Sequence, residues 1–105
     1  METLKMSTNW NYKLFTKYFT TIRLFSQKYQ VGTMYELDFK GKKIEVECVH
    51  ITPIRLADIP EYTFFTDTGY DKETSLKMFR EMYKNKVDVN TAPFAIIVFK
   101  QNLNY

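Results

Sequence analysis

The chain has 105 residues and a formal net charge of +3, with hydrophobic residues at 45 % and aromatics at 17 %. That length suits one domain and is too short for two independent cores, and the apolar content excludes a disordered chain. Cys48 is the only cysteine and His50 the only histidine, so neither an internal disulfide nor a four-ligand structural zinc site is available.

The opening METLKMSTNWNYK is polar and has no apolar stretch of signal-peptide length. The longest apolar run, Ala92 to Phe99, falls well short of the ~20 residues a membrane helix needs. A cytoplasmic protein with no membrane partner, no metal and no cofactor is the expectation. A small positive charge permits an anionic partner without requiring one. Its distribution is uneven: Lys13, Lys17, Arg23 and Lys28 fall in a stretch without acids, and Glu36, Asp38, Glu45 and Glu47 follow it.

Residues 1–10 read as a loose lead-in, anchored by Trp10, and residues 11–17 as a short helix. Phe19 to Phe25 is β-branched and aromatic, as strands prefer. Alternation puts Thr20, Ile22 and Leu24 on a core face, and Phe19, Thr21, Arg23 and Phe25 on a mixed face suited to a cleft wall. After Gly32, the segment Thr33 to Phe39 alternates with Tyr35, Leu37 and Phe39 inward. Lys40-Gly41 is a tight turn into a second strand, Lys42 to Thr52, giving a hairpin. Its alternation breaks at Cys48-Val49, which predicts a bulge, and Pro53 is expected to end it. Cys48 reads as a small core residue.

Arg55 to Ile59 predicts one helical turn. Glu61 to Tyr70 (EYTFFTDTGY) reads as a long aromatic loop, a type of segment that is often functional. Asp71 is a natural N-cap for a helix over about Lys72 to Lys84, with Leu76, Phe79, Met82 and Tyr83 as its apolar stripe. Phe94 to Phe99 (FAIIVF) is apolar on both faces, which marks a central strand covered on both sides. The sum is a single α+β domain over residues 1–105. It is a small β-barrel of about five or six mainly antiparallel strands with one main amphipathic helix and one or two short helices.

Several segments together carry a resemblance. TTIR after a lysine, the turn at KYQVG, the strands YELDF and IEVECVHI, the turn at RLADI and the Gly-containing DTGYD stand in that order. A helix ending FREMY and a closing PFAIIVFK follow them. In order and spacing this resembles the ASCH domains of the PUA-like superfamily, over roughly residues 13–100. The resemblance implies a barrel with a cleft beside the first strand, used to bind RNA or a nucleoside. One ASCH branch comprises amidohydrolases of N4-acetylcytidine that use a lysine, a threonine and a glutamate. Thr21 stands two residues before the family arginine, here Arg23. The lysine is expected at position 18, where this chain has Tyr18 with Lys17 before it, and the acid is matched by Asp67, one methylene shorter.

Three functions follow as expectations. The first is a nucleic-acid or nucleoside-binding module, with Arg23 and Lys17 facing phosphate, Lys28 at the rim, Tyr18, Phe19, Phe25 and Tyr70 stacking on bases and Asp67 accepting from an exocyclic amine. The second is an amidohydrolase with Lys17, Thr21 and Asp67 as catalytic residues. The third is a protein–protein interaction factor using Tyr62, Phe64, Phe65 and Tyr70 as its contact patch.

Overall fold

The computed structural model describes residues 1–6, 14 and 16–101. In chain order the elements are β1 (Glu2–Met6), β2 (Tyr18–Leu24), β3 (Met34–Phe39) and β4 (Lys42–Ile54). A 3-10 turn (Leu56–Asp58), α1 (Glu61–Thr68), α2 (Lys72–Tyr83) and β5 (Phe94–Gln101) follow. The sheet order is β1-β3-β4-β5-β2, and the sheet curls into a half-barrel. The β1–β3 pairing is parallel and the other three are antiparallel.

The hairpin forms as its sequence dictates. Lys40 (φ 51°) and Gly41 (φ 89°) both occupy the left-handed region, the backbone of a type I′ turn whose twist matches the strands it joins. The Asp38 carboxylate accepts from the Gly41 N–H at 2.8 Å. The register of β4 against β5 shifts between Cys48 and His50, so the bulge lies where alternation breaks. Burial pushes the Cys48 thiol above its ordinary pKa and leaves it a core residue.

Three expectations are corrected. Residues 2–6 are not a loose lead-in: β1 lies beside β3 in parallel register, Glu2 opposite Tyr35 and Met6 opposite Phe39. Leu4 and Met6 are buried while Thr3 and Lys5 are exposed, which is the alternation of a half-covered strand. The other lead-in residues, with Trp10 and most of the 11–17 helix, lie outside the described residues. Pro53 does not end β4, which runs on to Ile54 with Pro53 opposite Ala95. Beyond Glu47 the strand has lost β3 as a neighbour, and an open side tolerates a missing N–H. The segment Glu61 to Tyr70 is not a loop, because its first eight residues form α1. Pro60 stands at its N-cap, and Gly69, at φ 84°, closes it by donating its N–H to the Phe65 carbonyl at 2.8 Å.

Both faces of β5 are covered, as its composition predicts. Ala95, Ile97 and Phe99 point into the half-barrel with Leu4, Phe19, Tyr35, Leu37 and Val46. Phe94 and Ile96 meet Leu56, Ile59, Phe64 and Phe79 in the layer under the helices. The Tyr35 hydroxyl reaches out of the inner core. It donates to the Lys28 carbonyl and accepts from the Gln30 N–H at 2.9 Å, fixing the turn after β2.

The N-cap of α2 supplies a pH-dependent term. Asp71 Oδ1 accepts from the Thr74 backbone N–H at 2.8 Å. Hydrogen bonds from Thr74, the hydroxyl first and the backbone N–H second, hold the Asp71 carboxyl below its usual pKa. A lowered folded-state value means this contribution is complete above the ordinary Asp range and vanishes as pH falls through the folded value. Asp71→Ala is therefore expected to lower the urea midpoint at pH 7. The gap from wild type should narrow when the measurement is repeated in acid, below the ordinary Asp range. Equal gaps at the two pH values would show that the cap does not act through its charge.

Candidate functional site

The site forms where the half-barrel fails to close. The edge strands β1 and β2 flank the opening, and one Nη of Arg23 reaches across to donate to the Lys5 carbonyl at 3.1 Å. An edge strand has one unpaired side, so a hollow there is lined from both of its faces. Thr21 and Arg23 come from one face of β2 and Ile22 from the other.

From the opposite wall, α1 contributes Asp67 and Thr68 near its C-terminus. Asp67 is only 3 % exposed, and Thr20 donates to its Oδ1 at 2.8 Å, which ties the helix to the strand. The Thr68 hydroxyl donates to the Phe64 carbonyl at 2.8 Å and lies 2.9 Å from the Ser75 hydroxyl. These buried bonds pin α1 to α2 and so fix the angle at which Asp67 enters the hollow.

The resulting cleft has a volume of about 150 Å³ and is lined by Lys5, Met6, Thr21, Ile22, Arg23, Asp67, Thr68, Met78, Phe79, Met82 and Tyr83. A cavity of this volume admits one benzene-sized ring. Its polar equipment is two cations, a carboxylate and three hydroxyl-bearing side chains, set against apolar and sulfur-bearing walls. Among the described residues, no group of three or more His, Cys, Asp or Glu could hold a metal ion. No helix there is long and apolar enough to cross a membrane.

Comparison with protein-family models, with curated proteins and with solved structures returns no match. The chemistry of the cleft therefore rests on its own residues.

Of the expected site residues, Thr21, Arg23 and Asp67 meet in this cleft. Lys17 does not line it: its side chain is exposed, with Nζ 5.8 Å from the Tyr18 ring centroid. A strand rises ~3.3 Å per residue, so four residues put Lys17 roughly 13 Å along the chain from Thr21. Tyr18 and Tyr70 are exposed and do not line it either. Phe19 is not a ligand-stacking residue. It is 5 % exposed and packs on Phe99 with ring centroids 5.8 Å apart, because the mixed face of β2 turns into the barrel at its N-terminal end. Phe25 and Lys28 line a neighbouring hollow.

The interaction patch splits in the same way. Phe64 is fully buried in the core beneath α1, whereas Tyr62, Phe65 and Tyr70 are exposed.

Lys5, Met78 and Met82 are cleft residues that sequence reasoning missed. Leu4 and Met6 bracketing Lys5 are the signal for a strand, which would have placed this lysine on an edge. Met82 counts in the sequence as part of the core stripe of α2, yet it is 51 % exposed and lines the cleft. The stripe is wider than the surface it covers.

Proposed function

We propose that the protein is a nucleoside- or nucleic-acid-binding module of the ASCH kind, which holds one pyrimidine base, cytosine in preference, in the cleft beside β2. The observation that supports this is the convergence of Thr21, Arg23 and Asp67, from two segments far apart in sequence, on one ring-sized hollow. A curled mainly antiparallel sheet with two helices agrees with the PUA-like resemblance at the level of architecture.

The chemistry favours cytosine. A purine's two fused rings exceed a space that takes one ring. Carboxylates accept from the exocyclic amine of cytosine, and a carboxylate accepts several hydrogen bonds at once. The bond from Thr20 thus orients Asp67 for that task. Arg23 and Lys5 attract the phosphate that follows the base. Met78 and Met82 give a polarizable wall for the ring face. Hydrolysis of N4-acetylcytidine is the weaker reading, since the lysine carried by the resemblance, Lys17, stands outside the cleft, and only Lys5 accompanies Thr21 and Asp67.

The test is base discrimination. Cytidine 3′-monophosphate should bind about tenfold more tightly than uridine 3′-monophosphate, the range of one good base-edge pair. Asp67→Asn keeps an oxygen to accept from Thr20 but adds an amide donor that suits the uracil O4, so the preference should vanish or reverse. Titration calorimetry reads both. Equal affinities in the wild type, or an unchanged preference in Asp67→Asn, would overturn the assignment of Asp67.

A further inference from the structure

A second hollow, of about 290 Å³, adjoins the cleft and contains Phe25, Ser26 and Lys28. Arg23 and Tyr83 line both spaces, so the ridge between them is a guanidinium beside a phenol ring. Tyr83 is held there by its neighbours, parallel to Phe79 at 6.4 Å and edge-on to Phe94 at 5.3 Å. Arg23 Nε is buried and has no hydrogen-bond partner among the described residues. On the far side Phe25 is 40 % exposed. Lys28 at the rim pairs with Glu2 at 3.5 Å, which links the turn after β2 to β1.

We infer that the site takes two consecutive nucleotides of a single strand. The first base enters the cleft, the linking phosphodiester lies on Arg23, and the second base rests against Phe25. This rests on the base-binding reading above and extends it from a nucleoside to a strand. Two spaces, each with room for a base, separated by one guanidinium repeat the order base, phosphate, base along a chain. An orphaned buried donor is unfavourable until an acceptor reaches it, and a phosphate accepts from the planar edge of arginine in pairs. The second position offers an exposed ring face and no carboxylate, so it stacks without choosing a base. The first position, with Asp67, does choose.

The experiment compares cytidine with the ribodinucleotides CpC and CpA by calorimetry, in wild type and in Phe25→Ala. CpC and CpA should bind with equal affinity, each at least about tenfold more tightly than cytidine, as one stacked base supplies. In Phe25→Ala that advantage should fall by about tenfold, the share of the stacked base, leaving what the phosphate on Arg23 supplies. Phe25 is exposed enough for truncation to leave the core intact. If cytidine binds and the dinucleotides bind no better, the second position does not exist and the base-binding reading stands. If the advantage is undiminished in Phe25→Ala, the second hollow is not where the next base lies. If neither cytidine nor dinucleotide binds, both readings fall together.

Discussion

Phe99→Ala is expected to remove about 3–5 kcal/mol of folding stability, the usual cost of truncating a buried phenylalanine. Phe99 is fully buried on the central strand. It packs on Phe19 at 5.8 Å and edge-on to Tyr35 at 6.0 Å, which ties β2, β5 and β3 together inside the half-barrel. In the sheet of the described residues β5 lies between β2 and the hairpin strands, so a void here loosens the wall that carries Thr21 and Arg23. Domains of this size have about 5–15 kcal/mol in total. The variant should be largely unfolded in modest urea, read as a shifted midpoint in circular dichroism. A midpoint shift worth under about 1 kcal/mol would mean that the inner core is not the main source of stability.

Arg23→Ala is expected to weaken cytidine 3′-monophosphate binding by about ten- to a hundredfold, the scale of a charge-assisted hydrogen bond to phosphate. Cytidine itself should lose much less, because the interaction is with the phosphate. The logarithmic dependence of affinity on salt should flatten by close to one charge. Arg23→Lys should restore the charge but not the planar pair of donors, giving an intermediate affinity. The same side chain donates to the Lys5 carbonyl across the opening, so a stability loss of about 1 kcal/mol accompanies the change. Comparing cytidine with its monophosphate separates this loss from the binding effect. Undiminished monophosphate binding in Arg23→Ala would remove phosphate from the account of this site.

Particular elements explain why some features were legible in the sequence. The β3–β4 hairpin, the bulge and the α2 cap each depend on residues within a few positions of one another. Asp38, Lys40 and Gly41 carry their own turn chemistry, and Asp71 finds Thr74 three residues on. α1 was missed because EYTFFTDT is rich in aromatic and β-branched residues of middling helix propensity. Its flanking Pro60 and Gly69 were the better signal. Half of the site was also legible: alternation put Thr21 and Arg23 on one face of β2, where both line the cleft.

Sequence by itself determined a single α+β chain with a buried central strand, since periodicity and composition report which faces need covering. Tertiary structure alone decided that Glu2–Met6 becomes an edge strand, that Lys5 rather than Lys17 lines the cleft, and that Phe19 belongs to the core. Each of these depends on which strands become neighbours across gaps of thirty or more residues. Local preference is blind to such pairings, because they are chosen by the joint burial of surfaces that meet only once the sheet has curled.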